Sequence, residues 1–539
     1  MWRASARKGL PGVLLVALLG APMAGCQRCV STSVPPKTAS ERVLNFNNLA
    51  EPEYLDPGMV QGNVEYNLCM ALFEGLLVPD PKTAEPIPGV AERWEMAKDG
   101  RVYTFHLRRH AQWSDGHPVT AHDFVYAWER VLNPETGAPF AYILYYLKNA
   151  RAYNLGTMTD PRALGVRAVD DHTLEVTLEH PTTFFLKLLP LMTYMPVPRW
   201  AIEAHGPLWT RPEHIVTNGP FALTAWIPYK EILVKRSPTY WDAASVRLAG
   251  VRFHPLEEKE TALKMYLAGE LDVDWELPVL KMSELRSHPE MVEGPRFALY
   301  FYRLNTARPP LDDPRVRRAL AMAIDRETLV NQYLQQTQIP TDTLMPAGVP
   351  QYRYPQGPGF HPQQARELLR AAGFADPATF PPLTIHYNTD DRHKLIAQVI
   401  QQMWKTHLGI SVQLFNEEWK SYLKTWQTRN YEISRAGWVG DYVDPQSFLD
   451  LFTSTSTQNA TGWGNPEYDR LVEAASADPD QARRYALLES AETLLLDEMP
   501  MVPIMTYIKM MLVKPAVKGI YSNVLDLHPL KTVSFDMTP

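Results

Sequence analysis

The segment 434–445, with the sequence SRAGWVGDYVDP, combines a cation, carboxylates, a tryptophan and two glycines. If the carboxylate of Asp441 is buried opposite a cation, the two form charge-assisted hydrogen bonds, which are stronger than bonds between neutral groups. Gly437 has no side chain, so another main chain can approach it closely. The alternative is a local role, in which Asp441 caps the turn before Pro445. The segment is therefore a candidate binding site, with both interpretations open.

The sequence lacks the residue patterns of common catalytic and metal sites. There is no Gly-x-Ser-x-Gly elbow and no His-Glu-x-x-His motif. His106 and His110 are four residues apart, but they fall on a predicted strand and its turn and not on one helical face. No Cys/His spacing resembles a zinc site. We therefore predict that the protein is not an enzyme and that it binds no metal ion and no cofactor.

The N-terminal 25 residues have the composition of a targeting segment. Three basic residues precede the apolar run 12–20, which is too short to be a lasting membrane span. Small residues then lead to Cys26, although Met23 stands where leucine is usual. The pattern predicts a lipoprotein signal, in which Cys26 becomes the acylated first residue of the mature chain. Cleavage after Ala24 by an ordinary signal peptidase is the alternative.

The rest of the chain has the composition of a large globular body behind a tether. The polar stretch 27–41 predicts a flexible tether. About 500 further residues exceed what one core supports, so we expect two or three domains. The formal charge of −7 and the lack of a basic cluster argue against nucleic-acid binding, and no later segment is apolar enough to span a bilayer. Only Cys69 is expected in the folded body, which gives no reason for a disulfide framework.

Apolar periodicity predicts alternating strands and helices. An aromatic strand is expected over 297–305, and Asp313, followed by a proline, is a candidate helix N-cap. Strand 383–387, helix 393–407 and strand 410–414 follow one another. This order predicts a parallel βαβ unit.

The stretch 91–131 carries the most specific pattern in the chain. Asp99-Gly100 predicts a hairpin turn, and Val102–Leu107 alternates as a half-buried strand does. A helix follows from Ala121, with Phe124 and Trp128 on one face. In order and spacing this stretch resembles the bacterial extracytoplasmic solute-binding proteins of the peptide/nickel class (family 5), and within them the oligopeptide-binding proteins of ABC permeases. The residues that match are Asp99, Trp113, Asp115, Gly116, Asp123 and Phe124.

The resemblance covers Leu44 to about Val533 and implies the fold. It implies an α/β, two-lobed, periplasmic-binding-protein-like clamshell (type II, three-domain peptide-binding class), with hinge crossings near 297–304 and 504–511. Closure of two lobes around a ligand is an established mode of motion. The implied boundaries are 1–25 for the signal peptide, 26–41 for the tether, 42–74, 200–298 and 509–539 for domain I, 75–199 for domain II, and 299–508 for domain III.

The resemblance also implies roles for individual residues. Asp441, in the pattern Trp-x-x-Asp-Tyr, would bind the α-ammonium group of a peptide. Arg435 and His393 would bind its carboxylate. The alternatives are that Arg435 pairs with a neighbouring carboxylate and that His393 is a solvated residue at a helix start. The ligand backbone would pair as an added strand with Arg435, Ala436, Gly437, Trp438 and Val439.

Pocket-lining residues follow from the same resemblance, although each aromatic among them could equally belong to the core. Trp426 replaces an arginine of relatives, and Asn63 replaces an apolar residue. These departures leave the preferred length and composition of the peptide open. The expected lining residues are Asn63, Phe140, Tyr302, Trp419, Trp426 and Tyr507.

The resulting functional hypothesis is a solute-binding protein outside the cytoplasm, in the periplasm or at the cell surface. It would be a monomer, anchored by lipid to a bacterial membrane. It would capture short peptides in an interdomain cleft and deliver them to an ABC transporter made of permease subunits and ATPases. Two alternatives remain: a metal chelate, haem or other non-peptide solute in the same fold, or a peptide-sensing surface lipoprotein without transport. Asp441 favours an ammonium ligand.

Overall fold

The structure is a computed structural model that describes residues 42–60, 62–456 and 458–536. The predicted signal peptide, the lipidation site Cys26 and the tether lie outside the described residues. None of the helices in the described ranges combines the length and the apolar composition that a membrane crossing needs. Strands and helices alternate along the chain, as the periodicity predicts.

The strands vary widely in length. They are β1 (Val43–Asn47), β2 (Leu77–Pro79), β3 (Pro86–Pro88), β4 (Ala91–Met96), β5 (Val102–Leu107), β6 (Val166–Asp170), β7 (Thr173–Thr177), β8 (Phe221–Ile227), β9 (Glu231–Arg236), β10 (Gly250–His254), β11 (Val273–Asp274), β12 (Met291–Leu304), β13 (Gln338–Pro340), β14 (Leu383–Asn388), β15 (Val412–Glu417), β16 (Ile433–Val439), β17 (Met501–Val513), β18 (Val517–Lys518) and β19 (Ser534–Phe535).

The helices are mostly short, and the two longest lie in the second half of the chain. They are α1 (Asn63–Leu72), α2 (Ala121–Leu132), α3 (Ala150–Asn154), α4 (Phe185–Leu188), α5 (Arg199–His205), α6 (Lys259–Leu267), α7 (Met282–Leu285), α8 (Pro314–Met322), α9 (Arg326–Thr328), α10 (Pro362–Ala371), α11 (Asp391–Leu408), α12 (Trp419–Gln427), α13 (Gln446–Leu449), α14 (Pro466–Ala477) and α15 (Gln481–Glu498).

A large mixed sheet runs through the molecule in the order β15-β14-β16-β12-β17-β11-β1-β10-β9-β8, with β13 also paired to β17. The long central strands β12 and β17 pair on both sides of an irregularity between Pro295 and Leu299. On the N-terminal side of this irregularity in β12, its partner β17 also pairs with β11. On the C-terminal side, β12 also pairs with β16. The two strands that the resemblance implies as crossings are therefore the ones that join the halves of the sheet.

The stretch 91–131 supplies the helix α2 and two strands, β4 and β5, of a separate four-stranded sheet in the order β4-β5-β7-β6. Tyr103, Phe105 and Leu107 are buried on one side of β5, as the alternation predicts. The Asp123 carboxylate accepts hydrogen bonds from the Thr120 amide at 2.8 Å and the Trp113 indole at 3.3 Å. This capping box fixes the start of α2. The motif residues Trp113 and Asp123 thus stabilise the domain.

The predicted βαβ unit is present as β14, α11 and β15, and the two strands pair in parallel. Asp390 is the N-cap of α11 and accepts hydrogen bonds from the amides of Arg392 and His393. Gly409, in the left-handed conformation, ends the helix. Asp313 caps α8 through the Arg315 amide at 2.8 Å, which confirms the predicted N-cap. These helices pack on the core beneath one face of β12 and β16.

Candidate functional site

A cavity of about 870 Å³ opens between two separate parts of the chain. Residues 138–188 form one wall, and residues 438–476 form the other. The walls touch where the Tyr146 hydroxyl donates to Asp450 at 3.0 Å and the Lys187 ammonium donates to the Val443 carbonyl at 3.1 Å. A concave site with aromatic walls and a few convergent polar groups is typical of ligand binding. Its central lining residues are Tyr142, Tyr146, Trp438, Asp441, Ser447 and Asp450.

Asp441 lies in this cavity just beyond the end of β16. Ser447 fixes its main chain, since the Asp441 amide donates to the Ser447 hydroxyl at 3.0 Å and the Trp438 indole donates to the Ser447 carbonyl at 2.9 Å. The turn before α13 is capped by Asp444, which accepts from the Gln446 amide at 2.9 Å. The interpretation of Asp441 as the local turn cap is therefore wrong.

The Asp441 carboxylate has no hydrogen-bond or ion-pair partner among the described residues. Burial raises the pKa of Asp441 to about 7, because the charged form loses hydration without gaining a counter-charge. A cation that enters the cavity would supply that counter-charge. The site can thus hold an ammonium group, and binding would favour the deprotonated carboxylate.

Strand β16 carries an open edge next to Asp441. On one side it pairs with β12 as far as Val439, whereas β14 on the other side pairs only at Ile433 and Ser434. The backbone of 435–439 therefore faces no strand on that side in the described part of the chain. The Tyr422 hydroxyl donates to the Arg435 carbonyl at its beginning. An unpaired edge is a template for an added strand.

Arg435 lies at the opposite end of this edge from Asp441. Its guanidinium donates to the Asn388 side chain at 3.3 Å and the Tyr507 hydroxyl at 3.4 Å, and it lies 5.2 Å from the Tyr300 ring. It makes no ion pair with a carboxylate among the described residues, so the alternative of a structural salt bridge is wrong. Arg435 keeps its charge available for an anionic group.

His393 has a different environment from the one the sequence predicts. It is 7% exposed, so its interpretation as a solvated helix-start residue is wrong. Burial, followed by the charge of Arg435, lowers the pKa of His393 to about 3. The imidazole is therefore neutral at physiological pH, and its buried Nδ1 has no hydrogen-bond partner. It can serve a carboxylate only as a neutral donor, with Arg435 as the cation.

The structure distributes the remaining predicted lining residues over several places. Asn63 and Tyr507 line a smaller cavity of about 230 Å³. Trp419 is 50% exposed and stacks on Tyr422 with ring centroids 6.1 Å apart. Trp426 packs against the guanidinium of Arg303, 4.7 Å from its ring.

Two aromatic residues do not take the predicted place. Tyr302 is fully buried in the core and so cannot touch a ligand in this arrangement. Phe140 packs against Tyr142 at 5.7 Å, and it is Tyr142 that lines the larger cavity. Tyr142, Tyr146 and Asp450 also line the cavity but were not predicted, because no local sequence pattern marks them. Only the approach of two distant segments makes them neighbours.

No group of three or more His, Cys, Asp or Glu side chains within the described ranges is placed to hold a metal ion.

Comparison with known proteins gives a consistent result. The family model described as "Bacterial extracellular solute-binding proteins, family 5 Middle" matches residues 85–460. The periplasmic oligopeptide-binding protein OppA of Salmonella typhimurium is 38% identical over 520 residues, covering 94% of each chain. A probable deoxycholate-binding periplasmic protein, YgiS of Escherichia coli, is 36% identical over 511 residues, covering 91% of this chain and 93% of its own.

Two solved structures of one relative bear on the arrangement of the lobes. The murein tripeptide binding protein MppA of Escherichia coli matches with a TM-score of 0.84 at 36% identity, over 92% of this chain and 98% of its own. Its structure titled "Unliganded Open Form" matches with a TM-score of 0.74 at the same identity, over 92% and 97%. The chain thus matches the structure titled as open less well, and in this chain the cavity walls are in contact. The chain belongs to the family 5 bacterial extracellular solute-binding proteins and has their two-lobed α/β clamshell fold.

Proposed function

We propose that this protein captures short peptides in the cleft between its lobes and delivers them to an ABC transporter. The observation that carries the proposal is the open edge of β16 over 435–439, which ends beside the unpartnered carboxylate of Asp441. Strand addition binds a main chain without regard to its side chains. From 435 to 439 this edge spans about 13 Å, since each of the four steps is roughly 3.3 Å, and this length suits a short extended peptide.

In this proposal the two ends of the peptide meet opposite charges. The α-ammonium group binds the Asp441 carboxylate, and the carboxylate end lies toward Arg435, with His393 as a neutral donor. Asn63, Trp419, Trp426 and Tyr507 would border the path of the ligand. Contacts to the main chain and termini predict broad selectivity, because side chains in hydrated pockets can be served by bridging waters.

We further propose an extracytoplasmic location and a purely binding function without catalysis. Support comes from the names of the relatives, which are periplasmic binding proteins. Lipid attachment at Cys26 remains a prediction from the sequence, as do the domain boundaries and the monomeric state. In this proposal the partners are short peptides, permease subunits with ATPases and, through the anchor, the membrane.

Calorimetric titration with a tetrapeptide tests the proposal. Loss of one member of a buried charge pair costs about 3–5 kcal/mol, so Asp441→Asn should weaken binding about a hundredfold or more. The variant should also discriminate less between the free and the N-acetylated peptide. Asp312→Asn, which changes an exposed aspartate away from the cavity, is the matched control and should bind as the wild type does.

The same titration separates the alternatives. Deoxycholate is included because a relative at 36% identity is named a probable deoxycholate-binding protein. Binding of deoxycholate without binding of any peptide would contradict the proposal. If the wild type and Asp441→Asn bind the free peptide with equal affinity, peptide capture would still hold, but Asp441 would not be the residue that binds the amine.

A further inference from the structure

We propose that the larger cavity selects peptides whose first residue carries a basic side chain, and that Asp450 binds this second positive charge. The inference rests on the proposed function, because Asp441 must first hold the α-ammonium group. The side chain that enters the cavity is then the one on the residue that bears that group. The ligand class is a peptide that begins with lysine, arginine or another diamino acid.

The charges of the cavity are unevenly placed. Asp441 and Asp450 are the charged groups of its interior, and both are only partly exposed. Neither carboxylate forms an ion pair with a described residue. Apart from tyrosines, the other titratable residues that line it are exposed and of mixed sign: Arg151, Glu179, His180 and Glu473. Two interior carboxylates therefore face a cavity without an interior cation.

Asp450 has room for another donor. One of its oxygens accepts from the Tyr146 hydroxyl at 3.0 Å, and the other accepts from the side-chain Nε2 of Gln446 at 2.5 Å. A carboxylate has about four acceptor positions, so these two bonds leave others unused. Both donors are neutral, and they orient the carboxylate without cancelling its charge.

The cation that acts on the charge of Asp450, Arg484, is already paired with another carboxylate. Arg484 lowers the pKa of Asp450, but its guanidinium is hydrogen-bonded to both oxygens of Asp444, at 2.5 and 2.8 Å. Burial nevertheless raises the pKa of Asp450 to about 6. The raised pKa indicates that the charged carboxylate of Asp450 loses more hydration than its hydrogen bonds and nearby cation replace. A basic ligand side chain would provide it.

The walls suit the rest of a basic side chain. Tyr142, Tyr145 and Tyr146 line the cavity, and aromatic rings pack well against the methylene stem of lysine and attract its charge. The Tyr142 hydroxyl oxygen is buried and has no hydrogen-bond partner. The volume of about 870 Å³ far exceeds that of one ammonium group. A longer side chain and bound water can therefore enter together.

Calorimetry at pH 7.5 with tetrapeptides that differ only in the first residue tests the inference. The set contains lysine, norleucine, glutamate and ε-N-acetyl-lysine at that position, all with a free α-amine. We expect the lysine peptide to bind at least tenfold tighter than the norleucine and acetyl-lysine peptides, and the glutamate peptide to bind weakest. In Asp450→Asn the ratio of lysine to norleucine affinity should fall to threefold or less.

The controls separate a local failure from a general one. Asp312→Asn, at an exposed aspartate that does not line the cavity, makes the same chemical change and should keep the wild-type ratio. Unchanged binding of the norleucine peptide by Asp450→Asn would show that the variant is folded. Equal affinities of the wild type for the lysine and norleucine peptides would overturn the inference, and this result does not depend on whether Asp450→Asn folds. An unchanged ratio of these two affinities in Asp450→Asn would also overturn it. Failure of all four peptides to bind contradicts the proposed function instead.

Discussion

At the scale of the residue, Asp441 is expected to make the ligand-free protein less stable as the pH rises. Burial raises its pKa to about 7, whereas an unfolded chain has an aspartate pKa of about 3.9. Between these values the native state binds more protons than the unfolded state, so this contribution to stability is present below about pH 4 and is lost as the pH approaches 7. At pH 8, Asp441→Asn should therefore unfold at higher urea concentration than the wild type.

The size of this effect follows from the linkage. A shift of about three pKa units corresponds to at most about 4 kcal/mol, and water in the cavity reduces this to roughly 1–4 kcal/mol. The difference between variant and wild type should be clearly smaller at pH 5 than at pH 8. Comparing the two proteins at each pH removes the effect of other titrating groups. If Asp441→Asn is less stable than the wild type at pH 8, the charged Asp441 carboxylate does not destabilise the native state.

The same scale shows what the sequence could and could not predict about the site. Asp441 was identified because its Trp-x-x-Asp-Tyr context resembles that of the family, and it does line the cavity, just beyond the end of β16. The neutral state of His393 in α11 was not predictable, since it depends on burial and on Arg435, which comes from strand β16. Asp450 was missed for a related reason: the cavity that it lines exists only where residues 138–188 approach it.

At the scale of the element, the open edge of β16 predicts an alternating pattern of ligand hydrogen bonds. In a paired strand, every second residue directs its amide toward the neighbour. Replacing the amides of a pentapeptide one at a time by esters removes single N–H donors. Each alternate replacement should weaken binding about two- to twelvefold, as expected for the loss of about 0.5–1.5 kcal/mol per hydrogen bond. The intervening replacements should have little effect.

Competition binding against the unmodified peptide measures this pattern. N-methylation at the same positions is a second series, because it also blocks close approach of the two chains. Uniform effects at all positions would contradict strand addition while leaving capture of the termini intact. The resemblance to the family implied that a ligand pairs with 435–439 as an added strand. The early end of the pairing between β16 and β14 depends on tertiary packing, which the sequence alone does not show.

At the scale of the whole molecule, the first prediction concerns the anchor. Cys26 follows an apolar run and small residues, and two or three acyl chains hold a protein stably at a membrane where one chain does not. Cys26→Ser should abolish incorporation of labelled fatty acid and release the protein from membranes in a cell fractionation assay. Cys29→Ser is the matched control, because it removes a nearby cysteine and should leave labelling unchanged. Persistent labelling of Cys26→Ser would place the anchor elsewhere.

The last prediction concerns closure of the lobes, and it begins with the contacts between the cavity walls. Phe184 stacks on Tyr442 with ring centroids 5.0 Å apart, and Lys187 donates to the Val443 carbonyl at 3.1 Å. These contacts must break if the lobes rotate apart about β12 and β17. A ligand that binds only between closed lobes stabilises them, and its apparent affinity falls with the closed fraction of the free protein. Lys187→Ala should therefore weaken peptide binding severalfold, although Lys187 is not among the residues lining the larger cavity.

Small-angle X-ray scattering and calorimetry on the same samples test closure together. The radius of gyration should decrease when a saturating peptide is added. In Lys187→Ala the ligand-free value should be at least that of the wild type, while the saturated values agree. Lys148→Ala, at an exposed lysine outside the wall contact, should match the wild type in both measurements. An identical radius with and without peptide would mean that the lobes do not move on binding. Weaker peptide binding by Lys187→Ala would then require a direct effect on the ligand.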